Sequence, residues 1–581
     1  MEIMRWGALF YVSSALAALG SALAGCGSNR SGNPAAPDDG GIDGLTPDTG
    51  SADSGGHDGG PDSADAGMTT LSLPQFVHGA ARVDTTAFAK IPLAVAVSGA
   101  HPASVKVTVD TAPAVTATAV DPTHWVATLD ASSLSTQLHM VTATALSASG
   151  QTTGTVSGSL LAAAGSLQLT SFGQVGPAYA SRIQMAPGTD QLAMTWISVP
   201  GGGNHQFSLD YLNGAGARIL GNDVVISDPD DDAVQGATAF SSDAIGVVYD
   251  VPQPTGTHWL VKMRVVGTDG SVKVPTMDLT QGEGAFSLSA AGVDPGGFSA
   301  AWLHIRPLDD AGMTQPVELR FSRWDTAAGK LVGPIVIDSD QPQPSGSTQG
   351  PLPLEPLAEL GIACNQAICL VLYSRDDYNA LVELNVPKLF LATVDLASGK
   401  LAGPPVAVED SDWDTQQFGQ QIVALADGTF VLVYTANDTT TAVTPMTPCD
   451  MTIERDLLFA AKVDATGKLA GTPKPIFDFQ GSREYPRIAP HPAGWALFWE
   501  DQRSECDATG GHIGMAMNVA APDLASLLDS YLEAPGSIGL PPEYPSLAVT
   551  GTNFVVVWSD NRHGNGLTMP ANELYFDTYW R

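Results

Sequence analysis

Three short stretches set acids beside bases in a form that could act on a ligand: Arg375-Asp376-Asp377, Glu500-Asp501 with Arg503, and Asp560 with Arg562. Asp250, Arg306 and Asn437-Asp438 belong with them, as do His205, His258, His304, His512 and His563, because each follows an apolar run closed by an aromatic residue. Two carboxylates flanking a sugar can hydrolyse its glycosidic bond, and His with Asp can bind a metal. Plainer readings weigh against both. Arg offers a carboxylate a planar fork, so Asp501 with Arg503 and Asp560 with Arg562 read first as ion pairs tying neighbouring units together. The histidines fall at inconsistent offsets, whereas a metal needs three or four converging side chains, so neither metal nor cofactor is expected. The chain carries no Gly-rich phosphate loop, nucleophile elbow or paired-His metalloprotease motif, and no catalytic residue is assigned.

The elements that must position these residues repeat. Glu484-Tyr485-Pro486, then Trp495 to Phe498, then Trp499-Glu500-Asp501-Gln502-Arg503 is matched 59 residues later by Glu543-Tyr544-Pro545, Phe554 to Val557 and Trp558-Ser559-Asp560-Asn561-Arg562. Going backwards, Tyr434, Tyr373, Trp302, Tyr249 and Trp196 close similar apolar runs, which makes seven units. Downstream of these markers come tight polar turns: Asp325 with Gly329-Lys330, Asp395 with Gly399-Lys400, Asp464 with Gly467-Lys468, and the weaker Asn213-Gly214 and Asp269-Gly270. A unit is therefore strand, turn, aromatic-capped strand, variable loop, strand, hairpin, strand. Seven such units are what a β-propeller requires.

Residues 165–581 thus resemble the seven-bladed propellers of bacterial surface proteins, and the Trp-x-Asp-x-Arg endings are similar to blades of that kind. No blade carries a WD40 Gly-His pair or a sialidase-type Asp box. In such a fold the loops after each second strand gather on one face, so Arg375, Asp376, Asp377, Asp501, Arg503, Asp560 and Arg562 become neighbours there. Leu167 to Thr170 is expected to supply the outer strand of the last unit, which otherwise falls to Leu574 to Tyr579.

Residues 69–164 show short alternating strands at Leu93 to Val97, Val105 to Val109, Val115 to Ala119, Trp125 to Leu129, Val141 to Leu146 and Thr155 to Leu160, the pattern of a small antiparallel sandwich. The stretch from His139 to Ala145 with Ser149 to Thr152 resembles the last hairpin of bacterial immunoglobulin-like domains. Trp125 is expected in its core. The fold class is therefore all-β, a small immunoglobulin-like sandwich followed by a seven-bladed propeller.

Residues 1–25 read as an export signal, with Arg5 and an apolar run before Cys26. Leu23-Ala24-Gly25-Cys26 matches the lipobox of bacterial lipoprotein signals, which implies acylation of Cys26 and anchorage to a lipid bilayer. Gly27, rather than an aspartate, implies the outer membrane of a Gram-negative cell envelope. Residues 26–68 hold the lipidated cysteine and a tether with eight aspartates and almost nothing apolar, a composition that stays disordered. Over the whole chain 61 acidic residues face 26 basic ones, for a net charge of -35, which excludes nucleic acid as a partner.

Together these features read as a monomeric, non-catalytic surface lipoprotein whose propeller binds protein or polysaccharide. The alternatives are a secreted carbohydrate-active enzyme using loop-face carboxylates and a structural envelope protein with no discrete ligand. An exported chain should pair its remaining cysteines: Cys364 with Cys369 across a hairpin, and Cys449 with Cys506 between adjacent units. Peptide mapping under non-reducing conditions is expected to recover both linked pairs; free thiols at Cys449 and Cys506 would remove the argument for an oxidising compartment from that pair.

Overall fold

A sheet hydrophobic on one face must bury that face against another layer, and residues 69–163 do so as two sheets. One holds Thr69–Ser72, Lys90–Gly99, Thr118–Ala119 and His124–Asp130; the other holds Ala80–Asp84, Ser104–Val109, Val115–Thr116, Leu138–Leu146 and Thr152–Ala163. Alternation decides which residues meet. Ile91, Leu93, Val95 and Val97 from the first sheet and Val105, Val107, Val141 and Ala143 from the second form one core, with Trp125 packed against its margin. The expected single strand from Val115 to Ala119 is instead broken. Val115–Thr116 pairs in one sheet and Thr118–Ala119 in the other, so the segment crosses between layers, and only Ala117 points inward.

The computed structural model describes residues 68–169, 178–185, 192–199, 203–220, 223–253, 259–305, 317–340, 360–379, 384–408, 417–438, 455–476, 483–501, 514–520, 532–533, 543–551, 553–560 and 573–580. Within them the chain is all-β, with a single short 3-10 turn at Ala131–Ser133. Beyond residue 166 the strands build seven blades. Their first strands are Ala178–Met185, Gln235–Phe240, Gly284–Asp294, Gly361–Cys364, Gln417–Ala424, Arg483–His491 and Glu543–Thr550. Their second strands are Leu192–Ser198, Ala244–Pro252, Gly297–Ile305, Ile368–Asn379, Phe430–Asp438, Gly494–Asp501 and Asn553–Asp560. Each first strand contacts the next, and that of blade 7 lies against that of blade 1, so the ring is closed. All seven aromatic markers are buried on second strands. Each faces the preceding blade; Tyr249, for instance, packs with Phe207 and Leu209 of blade 1.

The polar turns are the hairpins from third to fourth strands. Asp325 accepts the amide of Ala328 at 2.9 Å and Asp395 that of Ser398 at 2.7 Å, while Gly329 and Gly399 adopt φ of 59° and 65°, which glycine reaches without steric cost. Cys364 and Cys369 are disulfide-bonded across the turn that opens blade 4, as expected; Cys26, Cys449 and Cys506 lie outside the described residues.

Blade 7 shows how the ring closes. Its third strand is Glu573–Tyr579, and its outermost strand is Leu167–Gln168 from ahead of blade 1, paired Leu167 to Phe576 and Gln168 to Tyr575. Both segments considered from sequence are therefore used, one beside the other. The sandwich is fastened at the same place. Arg82, on strand Ala80–Asp84, is buried and forms an ion pair with Asp577; its other terminal nitrogen donates to the carbonyl of Gly165. Trp580 enters the sandwich core and donates its indole N–H to the carbonyl of Arg82 at 2.7 Å. Burial pushes the Asp577 carboxyl up to about 6 against the pull of the Arg82 guanidinium. Removing one partner of such a pair leaves the other buried and uncompensated. Arg82→Met is expected to cost about 3–5 kcal/mol in urea unfolding, and the double variant Arg82→Met/Asp577→Leu to recover most of that; a double variant no more stable than the single one would show that the ion pair is not the clamp.

Candidate functional site

The seams between blades are apolar in the middle and polar at one end. That end is the face where second strands finish, third strands start and the inter-blade connections arrive. At three consecutive seams a carboxylate at or just before the connection is gripped there by the incoming blade. Between blades 1 and 2, Asp231 accepts from the Tyr249 hydroxyl at 3.1 Å and from Lys262 at 2.5 Å. Between blades 3 and 4, Asp338 accepts from the Tyr373 hydroxyl at 2.5 Å and from Arg375 at 2.7 Å, and the Arg375 guanidinium lies over the Phe390 ring at 3.9 Å.

Between blades 2 and 3 the same layout is altered. The marker is Trp302, which has no hydroxyl to offer, and its indole nitrogen is buried without a hydrogen-bond partner. Glu283 takes the place of the aspartate. His304, two residues past the marker as Arg375 is past Tyr373, sets Nε2 at 2.8 Å from Glu283 Oε2. Arg320, opposite Trp302 on the third strand as Lys262 is opposite Tyr249, reaches Glu283 Oε2 at 3.2 Å and holds Glu318 Oε2 at 2.9 and 3.0 Å. The Asp231 and Asp338 side chains are 9% and 7% exposed, whereas Glu283 is 47% exposed, so this carboxylate alone of the three reaches solvent.

Two further residues of blade 2 face this seam. Trp259 opens the third strand, Trp259–Gly267, on the same side as Val261 and Met263, which pack on blade 3. It bridges to Ala285, hydrogen-bonding the sheets of blades 2 and 3 together, and it remains partly exposed. Asp250 is fully buried, and neither of its oxygens completes a hydrogen bond. Burial pushes its carboxyl up to about 8. Ser289 of blade 3 lies near enough to temper that shift, yet its hydroxyl is also without a well-formed hydrogen bond.

Asp250 and His304, both expected on the loop face, are therefore brought to one seam. Arg375 is a structural grip on Asp338. His205 is held by Asp232, with Nδ1 2.5 Å from Oδ1. Asp376, Asp377, Asp501 and Asp560 lie on strands, but their side chains, like all of Arg503, Arg562, Arg306, His258, His512 and His563, fall outside the described residues. Among the described residues no three His, Cys, Asp or Glu side chains gather as a metal site. Glu283, Glu318, Arg320 and Trp259 were not singled out from sequence. The signal that could have found Glu283 is a carboxylate upstream of the first strand ahead of each of these three markers: Asp231, Glu283 and Asp338 precede Tyr249, Trp302 and Tyr373.

The fold and this seam define a closed seven-bladed β-propeller carrying a β-sandwich. No protein-family model matches the chain, and no curated protein does. Solved structures similar to it include an ulvan lyase of a polysaccharide lyase family (10% identity, TM-score 0.41, covering 70% of this chain and 94% of that one) and the polysaccharide lyase Uly1 (10%, 0.40, 69% and 90%). An auxiliary nutrient-binding protein from Bacteroides ovatus is similar over 89% of this chain and 98% of its own, at 10% identity and a TM-score of 0.31. At such scores their substrates and sites say nothing about this chain's.

An acid whose value is raised by folding favours the native state most at low pH, and loses that contribution as pH climbs from the unfolded value, 3.8, to the folded one, about 8. Asp250→Asn abolishes this titration. Relative to the unsubstituted protein the variant is expected to gain on the order of a few kcal/mol between pH 4 and pH 8, read from unfolding at a series of pH values; parallel stability curves would show that Asp250 does not titrate in that window.

Proposed function

We propose that the chain is a non-catalytic, outer-membrane surface lipoprotein. Acylated Cys26 anchors it, the acidic stretch to residue 68 tethers it, and an immunoglobulin-like sandwich carries a propeller that binds polysaccharide or protein. One observation supports the platform above others: the two ends of the ring are built differently. Turns joining first to second strands are tight, as at residues 241–243, 295–296, 365–367 and 492–493, whereas the connections at the opposite end run over 306–316, 340–360, 439–454, 502–513 and 561–572. Variable segments on a rigid frame are where binding residues concentrate, and the solvent-reaching Glu283 seam opens on this same end.

The anchor and the platform are tested separately. Radiolabelled palmitate is expected to enter the protein and to be lost in Cys26→Ser, which should leave the membrane fraction; an unlabelled parent protein would exclude the anchor. On an array of glycans and surface proteins, binding is expected without turnover. Glycan cleavage abolished by Asp376→Ala, Asp501→Ala or Asp560→Ala would make the protein an enzyme, and an array with no binding would leave a structural envelope role.

A further inference from the structure

We propose that the open end of the seam between blades 2 and 3 is a subsite for a neutral sugar unit of a polysaccharide, with Trp259 as its platform and Glu283, Arg320 and Gln253 as its polar contacts. This rests on the platform reading and adds the ligand class and the place.

The chemistry follows from what the seam leaves unused. Trp259 is partly exposed, and its indole makes no hydrogen bond with the described residues. An aromatic face carries negative potential, and the C–H groups on one side of a pyranose ring are weak positive donors that settle on it. Sugar hydroxyls need planar, two-sided partners beside that face. Glu283 spends Oε2 on His304 and Arg320, and no described residue bonds Oε1, which can accept. Arg320 keeps unspent N–H groups beyond its bonds to Glu283 and Glu318. Gln253 donates to the carbonyls of Gly282 and Glu283 at 3.4 Å, which leaves its own carbonyl oxygen as an acceptor.

These groups are already held. His304 is fully buried beneath Glu283, and Glu318, nearly as buried, fixes the Arg320 fork, so little side-chain freedom remains to be lost on binding. The carboxyl of Asp250, aimed into the same seam from blade 2, is buried with neither oxygen hydrogen-bonded; at seams 1/2 and 3/4 the buried atoms left over among the described residues are guanidinium nitrogens, Arg264 Nε and Arg375 Nε, and the carboxylates Asp231 and Asp338 are paired.

Charge selects among sugars. Among the described residues of the seam, Glu283 and Glu318 stand against Arg320, within a protein of net charge -35, so a uronate or sulfated unit would be repelled. A protein partner needs a patch of about 800 Å² per side, more than one indole and three polar groups supply.

The test uses the full-length lipidated protein in detergent, passed over immobilised neutral oligosaccharides (gluco-, xylo-, manno- and galacto-oligosaccharides) and over polygalacturonate. Retention is expected on at least one neutral ligand and to be insensitive to salt. Trp259→Ala and Glu283→Gln are each expected to weaken it by about tenfold, close to 1.4 kcal/mol, while Trp259→Phe keeps a substantial part. In the unsubstituted protein the retained sugar is expected to protect amides of residue 253 and residues 282–285 from hydrogen exchange, a readout independent of how any variant folds. Neutral binding that is indifferent to both substitutions and protects other amides would overturn the subsite and leave the platform standing. Tighter binding of polygalacturonate, or binding of proteins alone, would do the same. Absence of binding to any sugar or protein would remove the platform with it.

Discussion

Ring closure at blade 7 is the constraint on which the rest of the structure depends. Seven blades leave a first and a last edge that must be joined, and here the join is a two-residue strand, Leu167–Gln168, laid on Glu573–Tyr579. At about 1 kcal/mol net for each hydrogen bond, that ladder is too weak to hold the ring. The larger contribution is apolar: Ile183, Leu192, Met194 and Trp196 of blade 1 pack with Ala548, Val555, Val557, Leu574 and Phe576 of blade 7. Each large side chain buried there is worth roughly 1.5–3 kcal/mol. Burial closes the ring, and the short strand fixes its register.

The sandwich takes part in this closure. Val77 of the sandwich segment sits in the closing cluster, and Gly214 of blade 1 approaches Ala80 so closely that a Cβ would lie 2.1 Å from its carbonyl oxygen. Arg82, Asp577 and Trp580 then lock the third strand of blade 7 against strand Ala80–Asp84. The sandwich is thus packed onto the propeller, and residues 65–581 form one compact unit. The loop face is thereby fixed in orientation to the sandwich.

How much of this could be read beforehand follows from the range of each interaction. The aromatic markers and the Asp-to-Gly hairpins were legible because their chemistry is local: Asp325 caps a turn three residues away, and Tyr249 or Trp558 simply ends a buried run. The disulfide of Cys364 with Cys369 was legible for the same reason. The grips on Asp231, Glu283 and Asp338 were not, because each spans a connection of irregular length to reach the blade after it, and residues 340–360 lengthen the third connection well beyond the others. Arg375 was expected among ligand-facing residues because it follows a marker. It turned inward because Asp338 needed a partner once the blades had stacked.

Among the three gripped seams, the one between blades 2 and 3 is the informative exception. A buried carboxyl without a hydrogen bond, such as Asp250, costs free energy, and a Trp302 indole without an acceptor adds to it. The seam tolerates both because Val248, Val261, Met263, Leu279, Phe298 and Ala300 bury a continuous apolar cluster beneath them and the bridge from Trp259 to Ala285 ties the edges. A repeat fold could remove the cost with a tyrosine in place of Trp302 and a shorter acid in place of Glu283, as its neighbours on either side have done. A grip that both neighbouring seams complete with a tyrosine hydroxyl and that this one leaves open is where a role other than stability is to be sought. Here the break consists of a carboxylate pushed outward, a guanidinium fixed beside it and an indole left half open.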